Sequence, residues 1–348
     1  MKLVAISDTY IPLQYMQQGL ASLADYGVSV DVRQWEHASL VDLQQANLAI
    51  EQGGPEAVVL PDALLSNLAD VQILVVQFAP VSRILLDAAP QLKVIGVVRG
   101  GAENVDLTTA TARGISVLNT PGRNARAVAE CTMGLILGEV RNLARSHAGL
   151  RAGRWEREFP NSREIPELYG KTVGLIGYGA VAQLVAHYLV AFGSRILAFD
   201  PYFPGDPGPA HLVPLDDLLR NSDIVSLHAR LTAENHHLLG PREFSVMKRS
   251  AVLVNTARSG LVDEEALIVA LRDRVIMGAA LDVFDTEPLP TDHPFLYLDN
   301  VTVTAHLAGS TIDAFRNSPA LMAQHLIRML TTNERLPIVN GVQPALRP

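Results

Sequence analysis

Between Lys171 and Asp200 the chain runs through strand, glycine turn, helix, strand and acid without interruption. Lys171-Thr-Val-Gly-Leu-Ile176 is a short apolar run of the kind a buried parallel strand uses. Gly177-Tyr178-Gly179-Ala180-Val181-Ala182 follows directly, and apolar residues at helical spacing continue through Leu184, Val185, Tyr188 and Leu189 to a stop at Gly193. A second strand, Arg195-Ile-Leu-Ala-Phe199, ends on Asp200. A dinucleotide-binding fold requires this order. Gly177 permits the tight turn, and Gly179 lets the backbone approach a pyrophosphate with no side chain in the way. The helix that opens at Tyr178, Ala180 and Val181 offers unpaired N–H groups and a positive dipole to the phosphates. Ala182 replaces the third glycine, a position that governs only helix–strand packing. Asp200 is placed to accept hydrogen bonds from both ribose hydroxyls. Pro201, Tyr202 and Phe203 follow it with no Arg or Lys to receive a 2′-phosphate, so NAD is favoured over NADP.

Composition narrows the remainder. The 348 residues are enough for two domains, each with its own core. A net charge of −8 and the lack of a basic run argue against a nucleic-acid partner. The single cysteine, Cys131, excludes a disulfide framework and a thiolate metal cage, and its apolar neighbours suit a buried, inert thiol. The beginning, Met1-Lys-Leu-Val-Ala-Ile6, reads as a strand and not as a signal peptide. No apolar run approaches the ~20 residues of a membrane span, so a soluble cytoplasmic protein is expected.

Short apolar strands alternate with helical patterns throughout, which predicts α/β architecture with doubly wound parallel sheets. Strands are expected at 3–6, 28–32, 58–60, 73–76 and 94–98, and later at 224–227, 251–255, 278–282 and 301–304. Asn119-Thr-Pro-Gly122 reads as a turn or linker. A long apolar helix is expected over about 127–147, and a last helical stretch over 312–330, followed by a short polar tail. The glycine fingerprint lies beyond the first of these helices, so the nucleotide domain sits mid-chain and the front third forms a separate unit.

Three chemically capable residues follow strands of that mid-chain domain: Arg258 after Asn255-Thr-Ala257, Glu287 after Asp282-Val-Phe-Asp-Thr286, and His306 after Thr304-Ala305. Open α/β sheets bind ligands at these carboxyl ends. Singly, each has an ordinary explanation: a surface ion pair, a solvated acid, a histidine bonded to backbone. Their shared placement beside a nicotinamide site favours chemistry. No HExxH or paired-carboxylate pattern marks a metal site, and the adjacent His236 and His237 are expected to point apart. Trp155 reads as a packing residue between domains or subunits.

Five segments taken in order resemble the D-isomer-specific 2-hydroxyacid dehydrogenases over essentially the whole length. They are Asn119-Thr-Pro-Gly-Arg-Asn-Ala-Arg-Ala-Val-Ala-Glu130, the glycine loop with Asp200, Asn255-Thr-Ala-Arg-Ser-Gly-Leu-Val-Asp-Glu264, Ala280-Leu-Asp-Val-Phe-Asp-Thr-Glu-Pro288, and Thr304-Ala-His-Leu-Ala-Gly-Ser-Thr311. The resemblance implies two Rossmann-like domains with the active site in the cleft between them. A discontinuous substrate domain would comprise 1–119 plus 307–348, and an NAD-binding domain 120–306. It also implies hydride transfer between nicotinamide and C2 of a small D-2-hydroxy acid or 2-oxo acid. His306 would act as general acid and base, Glu287 would hold the imidazole and favour its charged form, and Arg258 would bind the substrate carboxylate and polarise the carbonyl.

By the same resemblance, Asp282 would hold the nicotinamide carboxamide, and Thr256 and Ala257 would line the cofactor cleft. His228 matches a histidine near the nicotinamide ribose, or is structural, since Ala229-Arg230 stands where the family commonly has proline. Val97-Val-Arg-Gly-Gly-Ala-Glu-Asn-Val-Asp106 resembles the family's substrate loop, whose N–H groups at Gly100, Gly101 and Ala102 would cradle the carboxylate. Arg99 would meet a second anionic group on the substrate, such as a phosphate, or pair with an internal acid. The apolar helix around 128–143 would help form a homodimer or be buried inside one subunit. The chain ends soon after its last helix, which leaves no room for an appended regulatory domain. A non-catalytic NAD(H) sensor, like the family's corepressor, is the alternative in another class. A phosphite-type oxidiser remains open, whereas Glu287 and His306 argue against a formate-type site.

Overall fold

The computed structural model describes residues 1–162, 167–332, 336–344 and 346. The chain divides into two compact units, Met1–Arg123 with Thr311–Pro348 and Asn124–Ser310. It therefore leaves the first unit once and returns to it once.

The first unit is built on five parallel strands: β1 (Lys2–Ser7), β2 (Ser29–Gln34), β3 (Ile73–Val76), β4 (Val94–Val97) and β5 (Ser116–Asn119). Their order is β2-β1-β3-β4-β5, with β1 pairing to both β2 and β3. Ile-Leu-Val-Val and Val-Ile-Gly-Val are buried at every position because helices cover both faces of the sheet. The helix Ile312–Thr331 returns to this unit and places Met322, Ala323 and Leu326 in the same core cluster as Leu3, Ala5 and Val75. It lies so close to the helix Leu13–Leu20 that a Cβ added at Gly19 would sit 2.5 Å from Cβ of Pro319. Only glycine allows that approach.

The expected strand at 58–60 does not form: Val59 is exposed, while Leu60 is buried in the core and Val58 packs against it partly buried. The β5 strand, absent from the expected set, is instead completed from the far end of the sequence. Val339 N–H donates to Val117 O at 2.8 Å, and Val117 N–H donates to Asn340 Oδ1 at 3.1 Å. What reads as a polar tail is thus a cover for the sheet edge.

The second unit carries seven parallel strands: β6 (Thr172–Ile176), β7 (Arg195–Phe199), β8 (Ala210–Leu212), β9 (Ile224–Leu227), β10 (Val252–Asn255), β11 (Gly278–Leu281) and β12 (Val301–Val303). Their order is β12-β11-β10-β9-β6-β7-β8, which reverses direction between β6 and β9. A crevice opens at such a reversal, and doubly wound sheets bind their ligands there.

The expected single helix over 127–147 is two helices, Ala125–Val140 and Leu143–Arg151. Asn142 breaks them apart in the left-handed conformation (φ +55°), held by its side-chain N–H bond to Asn161 Oδ1 at 2.7 Å. The first helix is buried within its own unit through Ala129, Met133, Leu135, Ile136 and Val140. The exposed apolar side chains of this region are instead Leu143, Leu150, Trp155 and Tyr169.

Candidate functional site

The β6–helix turn has the geometry its sequence requires. Gly177 adopts φ +81°, and a Cβ there would lie 2.5 Å from Ala229 N, at the reversal between β6 and β9. A Cβ at Gly179 would meet nothing within 4 Å. Open space therefore lies over the start of the helix Ala180–Ala191, whose first turn carries no side-chain cap. A pyrophosphate fits there, held by backbone N–H groups that lack intrahelical partners.

Asp200 accepts from Tyr178 N at 2.8 Å through Oδ2 and from Tyr202 N at 3.0 Å through Oδ1. It is partly exposed, and each oxygen keeps a lone pair for a ribose hydroxyl. Tyr178 contributes only its backbone. Its ring is buried, its hydroxyl donates to Pro207 O at 2.8 Å, and it packs edge-on against Phe203. Ala180 is exposed beside Gly179, whereas Val181 packs partly into the core beneath the helix. The residues present thus fit a dinucleotide without a 2′-phosphate.

Arg258, Glu287 and His306 follow β10, β11 and β12, three neighbouring strands of the sheet. His306 Nδ1 lies 2.7 Å from Glu287 Oε2, and Glu287 Oε1 accepts from Phe284 N at 3.0 Å. The carboxylate is thus fixed at both oxygens, and Nε2 of the half-exposed imidazole faces away from it. His306 adopts φ +49°, a left-handed conformation that non-glycine residues hold only when their surroundings impose it.

Asp282 imposes it. Its Oδ1 accepts from Thr304 Oγ1 at 2.6 Å and from Leu307 N at 2.9 Å, and its Oδ2 accepts from Ala308 N at 2.9 Å. The carboxylate expected to hold a carboxamide is completely enclosed, and the structure gives it the task of shaping the histidine loop. The sequence carried a signal for this: an acid directly after a fully buried strand must find donors nearby.

Asn255 does similar work under Arg258. Its Nδ2 donates to Arg258 O at 3.0 Å, and its Oδ1 accepts from Ala257 N at 3.0 Å. The exposed Arg258 guanidinium bonds only to Ala257 O at 2.7 Å and forms no ion pair among the described residues, so its fork of donors is available to an anion. Thr256 is buried, its hydroxyl 2.8 Å from that of Thr132. His228 Nε2 lies 3.0 Å from Ser226 Oγ, and burial pushes its pKa down to about 4, which keeps the ring neutral at physiological pH.

The remaining candidates divide. Gly100 is exposed and open, whereas the Glu103 carboxylate crowds Gly101. Arg99 is not available to a second substrate anion. It is paired with Glu51 at 2.8 Å and Glu103 at 3.0 Å, bonded to Asn47 at 2.9 Å, and stacked over Phe78. Of the two readings of this arginine, pairing with an internal acid is the one observed. His236 and His237 do not point apart: their rings stack at 3.9 Å. No group of three potential metal ligands occurs among the described residues. Trp155 is 82% exposed, so most of its ring is left unpacked within this chain.

Asp8 follows β1 in the first unit and opens the stretch 8–15, one of two first-unit segments (the other around 78–81) from which the sequence leads one to expect substrate-discriminating contacts; its burial is what the sequence does not reveal. Burial raises its pKa from 3.8 to about 6, and its Oδ2 has no hydrogen-bond partner. Below pH 3.8 the carboxyl is protonated whether folded or not. As pH rises through 6 only the folded chain must bear a buried charge, so stability falls by up to about 3 kcal/mol. Asp8→Asn keeps the acceptor used by Tyr10 N and Ile11 N and removes the ionisation. Urea unfolding should give matching stabilities for variant and parent near pH 4, with the variant more stable at pH 7.5. A gap that fails to widen with pH would show that Asp8 is not the titrating group.

The model of the family described as D-isomer specific 2-hydroxyacid dehydrogenase, NAD binding domain, matches residues 133–308. A glyoxylate reductase of Thermofilum pendens is 40% identical over 293 residues, covering 82% of this chain and 86% of that protein. A D-3-phosphoglycerate dehydrogenase of Methanocaldococcus jannaschii is 40% identical over 274 residues, covering 77% of this chain; the match spans about half, 52%, of that longer protein. Among solved structures, the TT0316 protein of Thermus thermophilus superposes with a TM-score of 0.69 at 32% identity, covering 99% of this chain and 100% of that one. No helix among the described residues is long and apolar enough to cross a membrane.

Proposed function

Because this chain belongs to the D-isomer specific 2-hydroxyacid dehydrogenase family, we propose that it reduces a small, unphosphorylated 2-oxo acid to the D-2-hydroxy acid with NADH, and runs the reverse reaction with NAD. The observation that carries this reading is the Glu287–His306 pair at 2.7 Å, with Arg258, which forms no ion pair among the described residues, after the adjoining strand β10. When bound, NADH supplies the hydride that C2 receives. Arg258 holds the substrate carboxylate through paired N–H donors and draws electron density from the carbonyl. His306 Nε2 gives its proton to the carbonyl oxygen, and in oxidation takes it back. Glu287 accepts the hydrogen bond from Nδ1–H and so keeps the ring in one orientation, with Nε2 turned toward the substrate. Gly177, Gly179 and Asp200 hold the cofactor, with Thr256, Ala257 and the neutral His228 on neighbouring strand ends.

The locked Arg99 supports an uncharged substrate tail, since its charge is already balanced by Glu51 and Glu103. The long match to a glyoxylate reductase points the same way. NADH consumption across a panel of 2-oxo acids with and without phosphate tests the reading, with turnover expected for glyoxylate- or hydroxypyruvate-sized substrates. Turnover confined to phosphorylated acids would overturn the substrate class. NADH binding without any turnover would favour the sensor alternative, which the intact Arg258, Glu287 and His306 do not.

The exposed Leu143, Leu150, Trp155 and Tyr169 support a homodimer as the working form. Sedimentation at twice the chain mass is the expected result. The free, half-buried Cys131, whose pKa is raised by burial, suits a reducing compartment, and we assign the protein to the cytoplasm.

A further inference from the structure

A second histidine–glutamate pair lies next to the reacting one. Glu264 opens the helix Glu264–Arg272, just after the capping residue Asp263. Its Oε1 lies 3.1 Å from His293 Nε2, and its Oε2 accepts from Asp285 N at 3.1 Å. His293 Nδ1 receives the Phe295 N–H at 3.4 Å, which leaves Nε2 as the protonated nitrogen that donates to Glu264. Both side chains are largely withdrawn from solvent, 13% and 17% exposed.

The consecutive amides of Phe284 and Asp285 are therefore claimed by two different carboxylates. Phe284 N–H goes to Glu287, which holds His306, and Asp285 N–H goes to Glu264, which is held by His293. Glu264 fixes the direction of one peptide and, through it, the neighbouring peptide that orients Glu287. An exposed loop would otherwise leave Glu287 free to swing, because its side chain is 35% exposed and, among the described residues, is held by that one amide and by His306. Reactions that depend on a proton donor lose rate steeply when the donor is misplaced by an ångström.

Resting on the proposed reductase reading, we propose that Glu264 and His293 are positioning residues for catalysis: they clamp the 284–285 backbone so that Glu287 meets His306 in one geometry. Neither touches substrate or cofactor.

Glu264→Gln tests this without changing the side chain's size. One amide oxygen serves either Asp285 N or His293, and the NH2 group then opposes a donor at the other. The expected result is a loss in kcat of roughly ten- to a hundredfold, with KM and NADH affinity unchanged. The hydrogen-bonded Nδ1 proton of His306, assigned by its disappearance in Glu287→Gln, should also shift or broaden in the NMR spectrum. His293→Ala should behave like Glu264→Gln, whereas His293→Gln, whose amide still reaches Glu264, should recover most of the rate. Parent-like kcat and resonance in both Glu264→Gln and His293→Ala overturn the inference. So does a lowered melting temperature with kcat and resonance unmoved, which marks the pair as merely structural. If the parent protein turns over no oxo acid, the reductase reading fails and the His306 resonance alone decides the clamp.

Discussion

His306→Asn is expected to lower kcat by roughly a hundredfold to ten-thousandfold while leaving NADH affinity within a few-fold of the parent. Asparagine is the informative replacement because position 306 sits at φ +49°. Asn tolerates the left-handed region better than most residues, so the loop should keep its course while the imidazole is lost. The expected pyrophosphate and ribose contacts, Gly177, Gly179 and Asp200, follow β6 and β7, which are separated from β12 in the sheet order by β11, β10 and β9. Binding and turnover should therefore separate. NADH fluorescence titration and steady-state NADH oxidation read the two quantities independently. A kcat within tenfold of the parent would remove His306 from the role of acid. A parallel loss of NADH affinity would instead place it against the cofactor.

Asp282→Ala should be the most damaging change outside the residues that meet substrate. The carboxylate is completely enclosed and accepts from Thr304 Oγ1, Leu307 N and Ala308 N. Its removal leaves two backbone donors and a hydroxyl facing a cavity, at a cost of about 3–5 kcal/mol. The same three bonds hold the loop on either side of His306, so kcat should fall at least a hundredfold even where the protein is still folded. Asp282→Asn should fall between the two, because one oxygen still accepts while the NH2 group opposes the other donors. Melting temperature measured alongside kcat at 20 °C separates the effects. A large loss of stability with a parent-like kcat would show that the histidine loop keeps its shape without Asp282.

The dinucleotide turn was readable from sequence because each of its requirements falls on a short, local stretch. The positive φ of Gly177, the open space at Gly179 and the acid after β7 are properties of neighbouring residues. The Glu287–His306 pair was legible through placement, since both follow strands that lie side by side. What stayed hidden depends on distant partners. Arg99 looks like an anion receptor until Glu51, forty-eight residues earlier, is seen to occupy it. The part Asp282 plays in shaping the histidine loop stays hidden because its donors at 304–308 lie more than twenty residues further on. The helix expected to run unbroken past 140 stops at Asn142, whose left-handed turn is held by Asn161. The edge strand β5 was missed because its partner backbone, at 337–340, lies more than two hundred residues away.

The two crossings of the chain, after Arg123 and before Thr311, impose an order on how the protein is made. Residues 124–310 form a continuous stretch and can complete their sheet as soon as they have been synthesised. The first unit begins earlier yet closes later, since Met322, Ala323 and Leu326 belong to the core around Leu3, Ala5 and Val75. Until the helix Ile312–Thr331 emerges, that apolar face of the first sheet is covered only in part, through Met16, Leu20 and Leu23, and lacks Met322, Ala323 and Leu326. During synthesis the second unit is thus the earlier to finish, and residues 1–123 wait for the returning helix with one face only partly covered.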